Sequence, residues 1–236
     1  MFRNVADVSI QGLPPPDGTS RRGRFYPLAV LVFASAALLE SVLFTGRSAI
    51  AADVSPQDAQ AETQKLVDQA LHILRNSNLS LTEERNQLRD MAEAHFDFAG
   101  MARSALGYHW KELSEDQRRQ FVQLFTAFIE DAYLTRIQQY SGQDIQFVDE
   151  KSDDPGYITV DTRVLGKGDS PIALDFRCKR EGNDWKIYDV TVDAISITAN
   201  YRNQFSRVIN NQGFDKLMSD LRAKQSELAS LLGKRS

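Results

Sequence analysis

Residues 157–164, YITVDTRV, and residues 172–178, IALDFRC, decide the fold of this chain. In the first, Ile158, Val160, Thr162 and Val164 share one face; in the second, Ile172, Leu174, Phe176 and Cys178 do the same, while Asp161, Arg163, Asp175 and Arg177 lie opposite. Successive side chains of a strand point to opposite faces, so this alternation marks a sheet buried on one side. Gly166-Lys167-Gly168-Asp169 and Glu181-Gly182-Asn183-Asp184 have hairpin-turn compositions, which makes the neighbours antiparallel. The segment Trp185–Val192 carries aromatic or aliphatic residues on both faces, so deeper cover is expected there. Strands therefore occupy residues 143–194.

On either side the period changes to that of helices. Between Glu62 and Asn76, Leu66, Val67, Ala70, Leu71 and Leu74 build one apolar face. A second helix opens near Ser80 or Thr82 and runs through Met91. Ser114-Glu115-Asp116-Gln117 is a capping-box pattern that starts the longest helix, which ends near Tyr140 before Ser141-Gly142. Its stripe of Phe121, Leu124, Phe125, Phe128, Ile129, Ala132, Tyr133, Ile137 and Tyr140 is expected to pack on the sheet. Residues 198–232 read as helical again. The pattern predicts an α+β domain in which about four antiparallel strands form a twisted sheet wrapped by helices from both ends of the chain.

Residues 1–52 stand apart. Arg21, Arg22 and Arg24 precede an apolar run from Phe25 to Phe44, and Ala49-Ile50-Ala51 offers small residues at a peptidase site. The run approaches the roughly 20 residues that span a bilayer, but Glu40 within it disfavours residence in lipid. An N-terminal extension and signal peptide is expected over 1–52, with a mature start near Ala52 or Asp53 and a single domain over 53–236. Loss of 1–52 removes five basic and three acidic residues, leaving 23 and 29, a net charge of −6. That sign opposes binding to nucleic acid, which rests on basic surfaces. Cys178 is the only cysteine, so the chain has no internal disulfide, and its place on the buried face marks it as an inert thiol.

Catalytic constellations are not found in the sequence. His72, His95 and His109 lie on different segments without metal-ligand spacing, and there is neither a phosphate-binding glycine loop nor a nucleophile elbow. Asp189 and Asp193 are the carboxylates that could serve as a base in a cone-shaped α+β fold, but neither has an acid partner nearby in sequence.

Several strings, in order, resemble the MlaC (toluene-tolerance) family. They are Phe96-Asp97-Phe98-Ala99-Gly100-Met101-Ala102-Arg103, Leu106-Gly107-Tyr108-His109-Trp110, and Leu113-Ser114-Glu115-Asp116-Gln117-Arg118 leading to Phe121 and Phe125. Tyr140-Ser141-Gly142, Trp185-Lys186-Ile187-Tyr188-Asp189-Val190, Ile195-Ser196 and Asn200-Tyr201-Arg202-Asn203-Gln204-Phe205 continue the series. The resemblance spans roughly residues 60–225. It implies a soluble periplasmic phospholipid carrier, without cofactor or catalysis, that holds phospholipid as cargo. Its implied partners are an inner-membrane ABC transporter complex and an outer-membrane lipoprotein–porin complex, in a system maintaining outer-membrane lipid asymmetry.

A carrier of diacyl lipid needs a deep apolar cavity between sheet and helices, because each methylene kept from water contributes about 0.8 kcal/mol. Candidate walls are Val160, Val164, Leu174 and Phe176 on the sheet and Phe125, Phe128 and Tyr133 on the long helix. Tyr188, Val190, Val192, Tyr201 and Phe205 are further candidates from the last strand and the following helix. Arg163, Arg177 and Arg202 are the cations available to a phosphate at the mouth, and the pattern equally allows each to lie solvated. Two alternatives stay open: a small isomerase or hydrolase using Asp189, and an adaptor that takes another protein's helix or strand in the same groove.

Overall fold

A computed structural model describes residues 57–137, 142–165 and 171–233. The expected extension and signal peptide over 1–52 lies outside the described residues, as do Tyr140, Ser141 and the turn Gly166–Asp169. Helices α1 (Gln57–Arg75), α2 (Leu81–His95), α3 (Phe98–Leu106) and α4 (Glu115–Ile137) precede the strands, with a 3-10 helix over Gly107–Glu112. Strands β1 (Asp144–Asp154), β2 (Tyr157–Leu165), β3 (Ile172–Glu181), β4 (Asp184–Val192) and β5 (Ile195–Ser196) follow, then α5 (Ile197–Gln212) and α6 (Phe214–Gly233).

The helices begin where side chains can satisfy their free amides. Ser80 and Glu83 form a reciprocal capping box on α2, and Gln117 Oε1 accepts from the Ser114 amide at 2.9 Å while Ser114 Oγ accepts from the Gln117 amide at 3.2 Å. Asp97 caps α3 by accepting from the Gly100 amide at 2.8 Å. Gly213, at φ +85°, ends α5 in a conformation that side chains with a Cβ rarely adopt, and lets α6 start at once.

The five strands form one antiparallel sheet in the order β1-β2-β3-β4-β5. Ile158 pairs with Cys178, Val160 with Phe176, Thr162 with Leu174 and Val164 with Ile172, so the two alternating runs meet on the same face. The strand beyond the expected four is β5, two residues joined to β4 through Asp193 and Ala194, both at positive φ.

Two expectations are corrected. The aliphatic side chains of β4 do not lie on two faces. A bulge opposite Arg177 and Cys178 sets Tyr188 and Asp189 out of register, and the inward set switches from Trp185 and Ile187 to Val190 and Val192. One extra residue reverses the parity of alternation, so a single buried face reads in sequence as two. Nor does the aromatic stripe of α4 rest on the sheet. Phe121 meets Phe205 and Phe214 edge-on or tilted at 5.9 and 6.2 Å, and Phe128 meets Tyr201 at 5.4 Å, so this half of α4 packs on α5 and α6.

α1 lies directly on the sheet, with Thr63 Oγ1 3.6 Å from Cys178 Sγ. At the junction of α2 and α3, the Asp97 amide donates to the Ile187 carbonyl at 2.9 Å, which ties the helices to β4. α4 packs closely on α3 and α6 but stands off from the strands. The gap left between them is the functional candidate.

Candidate functional site

Between the inner face of the sheet and helices α1, α2 and α4 lies a cavity of about 270 Å³; with its mouth included, the unfilled space is about 1480 Å³. Its walls are almost wholly apolar. α1 contributes Leu66, Val67, Ala70, Leu71 and Leu74, the apolar face set by its helical period. The C-terminal half of α4 supplies Ile129, Tyr133, Leu134 and Ile137, and the sheet supplies Ile145, Val164, Ile172, Leu174, Phe176, Val190 and Val192. Leu88, Met91, Phe96, Phe98 and Met101 close the far side.

Of the twelve candidates from the sequence, Tyr133, Val164, Leu174, Phe176, Val190 and Val192 come together around this space. Phe125, Phe128, Tyr201 and Phe205 are buried elsewhere, in the aromatic cluster where α4 crosses α5. Val160 is fully buried on the inner face beside its pairing partner Phe176 but does not line the cavity. Tyr188 sits on the opposite face, its ring 5.6 Å from that of Tyr157 and under the Arg177 guanidinium at 5.2 Å. The bulge is the cause: it turns Tyr188 away from the side that an unbroken alternation with Val190 would give it.

Sequence reasoning missed the walls given by α1, and by Ile129, Ile137, Ile145 and Ile172. The signal was present in the apolar face of residues 66–74, half of whose side chains stay only partly buried. A face that wide, incompletely covered, suits an empty space better than a packed core.

The charged groups among the lining residues are Arg89, Glu130 and Arg136. Arg89 forms an ion pair with Asp131 and lies 3.8 Å from Glu130 Oε2. Burial, then the neighbouring Glu93 carboxylate, push the Glu130 carboxyl up to about 7, against the pull of Arg89. Burial also raises the Tyr133 and Tyr201 phenols and pushes the Cys178 thiol up to about 11, so all three stay protonated.

Of the two places open to the three arginines, a phosphate at the mouth or the solvated surface, the fold gives them positions away from the cavity. Arg163 and Arg177 pair with Asp175 at 3.5 Å and Asp189 at 3.7 Å on the outer face, and Arg202 is exposed on α5. Asp189 is buried and accepts from Ser196 Oγ at 2.5 Å and the Thr198 amide at 3.1 Å, which fixes the start of α5. Asp193 Oδ1 accepts from the Ala173 amide at 3.1 Å and holds the β4–β5 turn against β3. Both carboxylates are structural ties. Among the described residues, no group of histidine, cysteine and carboxylate side chains is arranged to hold a metal ion, and no helix is long and apolar enough to cross a membrane.

An α+β fold with an apolar cavity opening between its sheet and helices defines a binding protein for a hydrophobic ligand. The family model described as MlaC protein matches residues 64–223, and the chain belongs to that family. It is 30% identical over 182 residues to the intermembrane phospholipid transport system binding protein MlaC of Haemophilus influenzae, covering 75% of this chain and 79% of that one. It is 23% identical over 120 residues to the toluene tolerance protein ttg2D of Pseudomonas putida, covering 50% of this chain and 56% of that one. A solved phospholipid-binding protein from Ralstonia solanacearum, in complex with a phospholipid, superposes with a TM-score of 0.66 at 26% identity, covering 73% of this chain and 99% of that one.

Proposed function

We propose that this protein is a periplasmic phospholipid carrier that moves lipid between an inner-membrane ABC transporter complex and an outer-membrane lipoprotein–porin complex, and so maintains outer-membrane lipid asymmetry. The observation that carries this reading is the apolar cavity between sheet and helices. Its support from relatives is that the Haemophilus influenzae protein is named for intermembrane phospholipid transport, and that the Ralstonia solanacearum structure holds a phospholipid. The leader-like residues 21–53 fit export.

The energetics suit a carrier. At about 0.8 kcal/mol per methylene, a ten-carbon length of acyl chain withdrawn from water contributes about 8 kcal/mol, the free energy of a micromolar complex. That holds a lipid through a watery compartment without any chemistry. Asp189 is engaged at the start of α5, and the protein is not proposed to be an enzyme.

The test is transfer of labelled phospholipid from donor to acceptor vesicles with purified protein added. Faster transfer, with the lipid recovered chemically unchanged, is expected. No acceleration, or recovery of a cleaved or rearranged lipid, refutes the carrier.

A further inference from the structure

The cations that the cavity presents are Arg89 and Arg136. Arg89 is committed to Asp131, whose Oδ2 also accepts from Gln225 Nε2 at 2.9 Å. Arg136 is different. It is half-buried, three residues beyond Tyr133 on the cavity side of α4, and forms neither an ion pair nor a hydrogen bond among the described residues. Glu130, the one acid among the lining residues, faces Arg89 at 3.8 Å rather than Arg136. With Arg89 met by both Asp131 and Glu130, Arg136 is the lining cation left without a paired acid among the described residues. A guanidinium beside apolar walls and without a counter-ion is unfavourable until an anion meets it.

We propose that Arg136 receives the phosphodiester of the bound glycerophospholipid, with the acyl chains running from it into the cavity. The proposal rests on the carrier reading. The planar guanidinium fork can engage two phosphate oxygens at once. It touches only what all glycerophospholipids share, so it selects phosphate-bearing lipids over neutral ones with the same chains and is indifferent to the headgroup beyond. Arg136 also lies in the last turn of α4, where a cation complements the helix dipole. That role alone changes stability and does not discriminate between ligands.

The experiment measures displacement of a fluorescent acyl probe from delipidated protein by dioleoylphosphatidylglycerol and by dioleoylglycerol. Arg136→Gln is expected to weaken the phospholipid about tenfold, equivalent to ~1.4 kcal/mol, and to leave dioleoylglycerol within about twofold. Arg136→Lys keeps the charge without the fork and recovers part of the loss. Equal effects on both lipids, or no effect on either, overturn the assignment. Inorganic phosphate alone is expected not to bind; binding that Arg136→Gln abolishes marks a free-anion site and overturns the lipid assignment. If the wild type takes up neither lipid, the carrier reading falls and takes this one with it. If the wild type binds both and only the Arg136 comparison fails, the assignment falls alone.

Discussion

Replacing Glu130 by glutamine should stabilise the protein at pH 8 and change it little at pH 5. The side chain is 9% exposed, faces Arg89 and Glu93 of α2 and Asp131 of its own helix, and leaves Oε1 without a hydrogen-bond partner. Burial first, then Glu93, lift its folded pKa to about 7 from the ordinary 4.5. Between these values the native state keeps a proton that the unfolded chain has released. Stability from this site is therefore full below about 4.5, declines as pH rises toward 7, and is flat above. At 1.36 kcal/mol per unit the span corresponds to ~3 kcal/mol at most. Partial solvent access and loss of the weak Arg89 contact reduce the expected gain to ~1–2 kcal/mol. For a domain of this size that is a rise in Tm of about 3–6 °C at pH 8. Glutamine keeps the shape but cannot ionise, so the gain at pH 5 should be less than half as large. Thermal melts of both proteins at the two pH values decide it. Equal shifts at both, or a loss at pH 8, would refute the reasoning.

Three other substitutions separate cavity from core. Val192→Trp projects an indole into the cavity; the purified variant should carry far less lipid while melting no lower than delipidated wild type, as read by lipid extraction and calorimetry. Phe125→Ala opens a hole in the α4–α5 cluster and should cost about 3–5 kcal/mol in denaturant unfolding, with lipid per folded molecule unchanged. Asp189→Asn weakens the tie to Ser196 and Arg177 and should cost about 1–3 kcal/mol, while vesicle transfer by the folded variant persists.

The sequence showed which faces of β2 and β3 turn inward, because alternation with one wet side has a single reading. It failed at Tyr188, where one inserted residue flips the side chains that follow and no local composition announces it. It also placed the aromatic half of α4 against the wrong partner, since periodicity tells which residues face inward and not what they face. The cavity was legible only as apolar surface. Phe125 in packed core and Tyr133 beside empty space sit on one stripe and look alike until the divergence of α4 from the sheet is known. For the same reason the pattern offered Arg163, Arg177 and Arg202 to a phosphate and passed over Arg136, although the fold sets Arg163 and Arg177 across the sheet from the cavity.

Denaturing extraction of protein purified without detergent, with lipid mass spectrometry and phosphate assay, decides whether the space under α4 holds phospholipid. Intact phospholipid at close to stoichiometric amounts, depleted in Val192→Trp, is expected. Folded, stable protein carrying no lipid, or carrying it undiminished in that variant, would contradict phospholipid binding there.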